Sequence, residues 1–153
     1  MVMPITEGEK IMNVREYLKE IKELDALIYC KKLRIQGLWS SITYPGISYD
    51  FKVQSSKKFD KHCETICKIT EIEEEIKQME KELNRRKQEV EQAIKKLDHE
   101  EMAQVIRKRY IELKSWEEIT NEIGHSKRWI MELHRKAMKK LCMIFELHFE
   151  KVV

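Results

Sequence analysis

The residues best suited to chemistry form a basic segment near the C-terminal end of the chain. Between His125 and Lys140 there are six Lys or Arg side chains and one acidic side chain. Arginine can pair with O6 and N7 of guanine, whereas lysine mostly neutralises phosphate. The formal net charge of the whole chain is only +3, so this basic character is local. These residue types therefore favour contact with a nucleic acid.

Metal binding and catalysis have weaker support. Cys63 and Cys67 lie one helical turn apart beside His62, but no second ligand pair has matching spacing. We therefore interpret the thiols as small apolar core residues and predict neither a metal nor a cofactor. They are Cys30, Cys63, Cys67 and Cys142. Because the five histidines are scattered and no nucleophile or phosphate-loop pattern occurs, we predict that the protein is not an enzyme.

Two short helices are predicted to position the basic segment. Ser115 and Glu118 have the spacing of a capping box. In that motif the Ser side chain accepts a hydrogen bond from the backbone amide of the Glu, and the Glu side chain accepts one from the backbone amide of the Ser. Gly124 suits the left-handed conformation that ends such a helix. Ser126 can then cap the next helix. Two capped helices joined by about three residues predict a helix-turn-helix.

The second helix of this pair has two different faces. The predicted inner face, including its partners on the first helix, is Ile119, Ile123, Ile130, Leu133, Ala137 and Leu141. The predicted outer face is Lys127, Arg128, Met131, Glu132, His134, Arg135 and Lys136, followed by Lys139 and Lys140. DNA-reading helices place their N-terminal residues against base edges in the major groove. The pattern therefore predicts binding to double-stranded DNA.

The N-terminal part is predicted to be a helical hairpin. Apolar residues recur at steps of three and four from Val14 to Leu38, broken at Lys31, and again from Ile69 to Leu97, with Arg86 at one core position. We predict helices over about 13–38, with Asn13 as N-cap, and about 57–97. The intervening residues 39–58 are predicted to be a loop whose aromatic residues cap the end of the hairpin. They are Trp39, Tyr44, Tyr49 and Phe51.

These elements predict an all-α protein with a hairpin over residues 1–98 and a DNA-binding domain over 99–153. The second apolar stripe is longer than the first, so part of it is expected to stay uncovered and to promote a homodimer. No stretch reaches the roughly 18 apolar residues that a membrane span needs. We therefore predict a cytoplasmic protein with reduced thiols and no membrane contact.

The C-terminal residues resemble region 4 of bacterial sigma factors. The resemblance lies in Val105–Tyr110, Ser115–Ile119, Gly124–Ser126 and Ala137–Leu141. More widely, the chain resembles small phage-encoded regulators of late transcription, the ArpU-type family, including Leu24–Ile28 and Val53–Ser56. The two departures are Thr120, where alanine is usual, and the pair Met131 and Glu132, which differs from the residues of primary sigma factors.

The resemblance implies regulation of phage or prophage transcription, with RNA polymerase as a candidate partner. By position it assigns DNA contact to the exposed helix residues Lys127, Arg128, Met131, Glu132, Arg135 and Lys136, and phosphate contact to Lys108 and Arg109. Because the segment that melts promoter DNA in complete sigma factors has no counterpart, a stand-alone sigma factor is not predicted. The alternative is a coiled-coil adaptor whose basic end binds a protein.

Overall fold

A computed structural model of the chain describes the backbone of residues 7–43 and 55–149, and the side chains of 13–43 and 60–145. These residues form helices, which confirms the predicted all-α class. The helices are α1 (Glu7–Thr43), α2 (Ser55–Ile94), α3 (Glu100–Ile106), α4 (Trp116–Ile123) and α5 (Lys127–Phe149), with a π-helical segment (Arg107–Ile111) after α3. Within residues 7–43 and 55–149, none of the helices combines the length and the apolar character that a membrane span requires.

The contacts divide the chain into two compact units. Unit 2 contains Leu24–Leu83, and unit 1 contains the residues up to Glu23 together with those from Asn84 onward. This division differs from the predicted domain boundary at residue 98. The first part of α1 and the last part of α2 belong to the same unit as the C-terminal helices and pack with them. The ring of Tyr17 on α1 lies 5.8 Å from that of Phe145 on α5. Arg107 binds Glu91 of α2 at 2.9 Å.

The core of unit 1 draws apolar side chains from all five helices. The buried ones are Val14, Leu18 and Ile21 of α1; Val90, Ala93 and Ile94 of α2; Met102, Ala103, Val105 and Ile106 of α3; Ile119 of α4; and Ile130, Ala137, Met138, Leu141, Cys142 and Phe145 of α5. None of these helices can shield its apolar face from water by itself. Packing against the others is therefore what stabilises each one.

Within unit 1, α1 and α2 run antiparallel, as predicted. The hydroxyl of Tyr17 donates to Glu89, and Arg86 pairs with Glu20. Residue numbers therefore increase along α1 in the direction in which they decrease along α2. The guanidinium of Arg86 also lies over the Tyr17 ring, 5.5 Å from its centre. These contacts explain how a charged residue occupies a core position of the heptad pattern, because its charge is paired and its aliphatic stem is covered.

Unit 2 continues the same two helices around a narrower core. The buried residues are Ile28, Ile69, Ile72, Ile76 and Leu83. Lys31, which breaks the apolar stripe of α1, reaches Glu75 at 2.5 Å, and Lys32 reaches Glu80 at 2.7 Å. Exposed pairs of this kind contribute at most about 1 kcal/mol each, so the apolar stripe supplies most of the stability.

Most of the predicted apolar stripe on α2 is buried. Its buried members are Ile69, Ile72, Ile76, Leu83, Val90 and Ala93, whereas Met79 and Leu97 are partly exposed. The first helix is longer than predicted, since α1 begins at Glu7 and ends at Thr43. The homodimer that an uncovered part of the stripe would promote stays a prediction.

The predicted ends of α1 are also wrong. Asn13 is an exposed residue inside the helix and not its N-cap. Trp39–Thr43, predicted to begin the loop, are helical, and the hydroxyls in this segment bond to carbonyls of the preceding turn. Ser40 donates to Gln36 O at 2.9 Å, and Thr43 donates to Trp39 O at 3.0 Å. The loop aromatics Tyr44, Tyr49 and Phe51 lie outside the described residues.

The cysteines are mostly not core residues. Cys30, Cys63 and Cys67 are exposed, and only Cys142 is buried as predicted. Their positions in the heptad pattern explain this, since all three fall between the residues that face the partner helix. Within the described ranges, no group of three or more His, Cys, Asp or Glu side chains could hold a metal ion.

Two glycines give a matched test of backbone conformation. Gly37 lies inside α1, where an added Cβ would meet nothing within 4 Å, whereas Gly124 has a φ of 77°. We expect Gly37→Ala to raise the free energy of unfolding by about 0.5–1 kcal/mol, because alanine loses less entropy in a helix. Gly124→Ala should lower it by about 1–2 kcal/mol, because an L side chain is strained there. Urea denaturation of both variants measures these changes. Two changes of the same sign in the free energy of unfolding would contradict the prediction.

Candidate nucleic-acid interface

The capping box at the start of α4 is confirmed. The amide of Glu118 donates to Ser115 Oγ at 3.3 Å, and the amide of Ser115 donates to Glu118 Oε2 at 2.7 Å. The hydrogen bond from the Ser115 backbone holds the pKa of the Glu118 carboxyl below its ordinary value. Since the carboxylate also lies at the positive end of the helix dipole, it fixes where α4 begins.

The turn between α4 and α5 is the short one that the sequence predicts. Gly124 ends α4 in the left-handed conformation, with its amide donating to Thr120 O at 3.0 Å. Ser126 Oγ accepts from the amide of Trp129 at 3.3 Å and so caps α5. Only residues 124–126 separate the two helices. Their relative direction is therefore tightly restrained.

A small apolar cluster fixes the angle between these helices. Val105, Ile119 and Ile130 are fully buried, and they come from α3, α4 and α5 respectively. The partly buried side chains packed against this cluster are Trp116, Ile123, Trp129 and Leu133. The predicted inner face is thus confirmed, with Ile119, Ile130, Ala137 and Leu141 fully buried and Ile123 and Leu133 partly so.

The outer face of α5 presents the predicted contact residues to solvent. Lys127, Arg128, Met131, Glu132, Arg135 and Lys136 are all exposed. Glu132 lies 3.4 Å from Arg135 and 3.6 Å from Lys136, so it pairs with cations further along the helix. Lys127 and Arg128 stand in the first turn, next to the three-residue turn.

Lys108 and Arg109, by contrast, contact the protein itself. Lys108 is only 21% exposed and its ammonium lies 2.5 Å from Glu122. Arg109 donates to Lys114 O at 2.8 Å, and its guanidinium lies 4.6 Å from the centre of the Trp116 ring. Lys108 therefore connects the π-helical segment with the last turn of α4, and Arg109 connects it with the residues that open α4.

Glu122 and Lys114 strengthen the same connection. Lys114 lies 2.8 Å from Glu112 and 2.7 Å from Glu122. The ammonium of Lys108, followed by that of Lys114, lowers the pKa of the Glu122 carboxyl. The hydrogen bonds that the Lys114 ammonium donates to Glu112 and Glu122 raise its pKa. All these side chains are solvated in part, so they orient α4 more than they stabilise it.

His134 is not part of the outer face, and its prediction there is wrong. It is 6% exposed, its Nε2 lies 2.9 Å from the hydroxyl of Tyr110, and its ring meets the Trp116 ring edge-on at 4.9 Å. Burial, helped by the charges of Arg15 and Arg109, lowers the pKa of His134 to about 4. The sequence does contain a signal for this burial, because His134 lies four residues after Ile130 and three before Ala137, which is the spacing of the inner face.

Sequence reasoning also missed two aromatic contacts. Tyr110 packs against His134 with ring centres 5.8 Å apart, and burial raises the pKa of its hydroxyl. His125, in the turn, lies 4.0 Å from the ring of Trp129. Nothing in the spacing of these residues distinguishes them from surface positions. Only the packing of the π-helical segment against α5 brings Tyr110 to the histidine.

Comparison with protein families assigns this chain to a family. Residues 42–142 match the protein family described as Protein of unknown function (DUF1492). No curated protein and no solved structure matches the chain. The matched range extends from the end of α1 to residue 142 of α5 and covers about two thirds of the 153 residues. The chain therefore belongs to the DUF1492 family.

Proposed function

We propose that this protein is a sequence-specific regulator of phage or prophage transcription. In this proposal α4 and α5 form a helix-turn-helix, and α5 enters the major groove of double-stranded DNA. One observation carries the proposal: Lys127 and Arg128 are exposed in the first turn of a helix whose start is fixed by Gly124 and Ser126. The N-terminal turns of a recognition helix are the part that meets base edges.

The charge distribution supports the same surface. Glu132 pairs with Arg135 and Lys136, and it is the only acid between His125 and Lys140. Lys127 and Arg128, at the beginning of α5, are therefore exposed cations that Glu132 does not neutralise. We assign base contact to Arg128, whose guanidinium matches guanine, and phosphate contact to Lys127. Met131 lies one turn further on and could meet a thymine methyl group.

The resemblance to sigma factor region 4 supports the proposal independently, and it makes RNA polymerase a proposed second partner. It also assigns phosphate contact to Lys108 and Arg109. Their contacts with Glu122, Lys114 and Trp116 favour a positioning role instead. The proposed interface therefore rests on the six exposed residues of α5.

The test begins with selection of bound sites from a random pool of DNA duplexes. We expect Arg128→Ala to lose about 1–3 kcal/mol of discrimination between the selected site and a mismatched one. Lys127→Ala should weaken binding to both sites. It should also reduce the slope of the logarithm of the binding constant against the logarithm of salt concentration by about one, the value for one phosphate contact. Lys81→Ala is the control, because Lys81 is an exposed lysine on α2.

Two outcomes would count against the proposal. Parental affinity in both α5 variants would show that another surface binds DNA. Absence of salt-dependent binding to any duplex would favour the adaptor, whose basic end binds a protein, since neutralising phosphates releases counterions.

A further inference from the structure

The outer side of α1 in unit 2 carries an uncharged stripe. We call this the outer stripe and define it as Ala26, Tyr29, Cys30 and Leu33. All four are exposed, and Tyr29 and Leu33 keep 63% and 47% of their surface. At 100° per residue the four lie within about 100° of the helix circumference. Ile28, which is buried against α2, lies on the opposite side of α1.

The spacing of the outer stripe suits another helix. Ala26, Cys30 and Leu33 follow steps of four and three, the repeat by which side chains of one helix fit between those of a neighbour. Exposed large apolar side chains that occur singly are normal, but the residues of the outer stripe are contiguous on the helix surface, and contiguous apolar surface is what marks an interaction site. The opposite side of α1 already packs against α2. A helix that covers the outer stripe must therefore be a further one.

We propose that a second copy of this chain covers the outer stripe, with the two α1 helices antiparallel. The size pattern is self-complementary about a point between Tyr29 and Cys30. In that register Ala26 of each copy faces Leu33 of the other, so the smallest side chain meets the largest aliphatic one. A two-fold axis through this point makes both halves of the contact identical.

The charges beside the outer stripe favour the same occupant and direction. Asp25 and Lys32 lie on one side of it, Asp25 about 4.5 residues before the proposed axis and Lys32 about 2.5 residues after it. An antiparallel second copy related by this axis therefore places each Asp25 near the Lys32 of the other copy, and the two charges are opposite in sign. The Lys32 side chain is 53% exposed and can accept a further carboxylate beside Glu80.

Matched charge insertions test the proposal. Leu33 and Ile66 have similar exposure, 47% and 44%, but Ile66 lies on α2, outside the outer stripe. In sedimentation equilibrium of the full chain, we expect the parent and Ile66→Glu to be dimeric at micromolar concentration. Leu33→Glu should be monomeric with unchanged helix content by circular dichroism. A monomeric parent, or equal association of the two variants, would overturn the proposal.

Thiol crosslinking tests the register separately. The proposed axis passes beside Cys30, so a short bismaleimide should join Cys30 of the two copies into a covalent dimer on a denaturing gel. Cys30→Ser should remove this product. Cys63 and Cys67 are also exposed, and their double replacement by serine should leave it unchanged. A covalent dimer that persists in Cys30→Ser, or that needs Cys63 or Cys67, would show that the copies meet elsewhere.

Discussion

Ile119→Ala is expected to lower the free energy of unfolding of unit 1 by about 2–5 kcal/mol, the range for truncating a fully buried Ile. Ile119 is 0% exposed and packs with Val105 and Ile130, which are equally buried. The cavity would lie between α3, α4 and α5, where the short turn at 124–126 leaves the helices little freedom to close it. Urea denaturation followed by the fluorescence of Trp116 and Trp129, in a Trp39→Phe background, measures the loss.

A control of equal chemistry is Ile66→Ala, because Ile66 is 44% exposed in unit 2. Its cost should stay below about 1 kcal/mol, as for other surface substitutions. If Ile119→Ala cost no more than Ile66→Ala, the α4–α5 pair would not depend on this cluster. DNA binding by Ile119→Ala should fall together with its stability, because the same packing sets the direction of α5.

Acidification is expected to destabilise unit 1 through His134. Burial lowers the pKa of this histidine from 6.5 to about 4. Between these values the unfolded chain binds a proton that the folded chain excludes, so stability is complete above about pH 6.5 and decreases as the pH falls toward 4. The loss should be about 2 kcal/mol by about pH 5 and about 3 kcal/mol in all.

The measurement is the urea midpoint at several values of pH from about 7 to about 4. His134→Gln is the control, since an amide can still bond to the Tyr110 hydroxyl but does not titrate in this range. That variant should be less stable than the parent near neutral pH and should lose little stability between about pH 7 and pH 5. A parental slope in His134→Gln would assign the acid sensitivity to other groups. The carboxyls with lowered pKa, such as Glu118 and Glu122, contribute only below about pH 4.5.

Local signals in the sequence predicted local structure well. The capping box at Ser115, the turn at Gly124 and the apolar periods of α2 and α5 depend on residues within a few positions of one another. Each is confirmed for that reason. The ends of α1 were predicted wrongly because turn-prone residues such as Ser40 and Thr43 can also bond to the helix that precedes them.

By itself, then, the sequence determined the all-α class, the antiparallel pairing of the two long helices and the capped helices that hold the basic face of α5. These follow from periodicity and from backbone conformations that few residues can adopt. Only the tertiary structure decided that the open end of the hairpin shares its core with the C-terminal helices, that His134 is buried on Tyr110, and that Lys108 and Arg109 hold α4. Most of those contacts join residues at least 14 positions apart, such as Lys108 with Glu122, Tyr110 with His134 and Tyr17 with Phe145. No local pattern in the sequence exists for contacts at these separations.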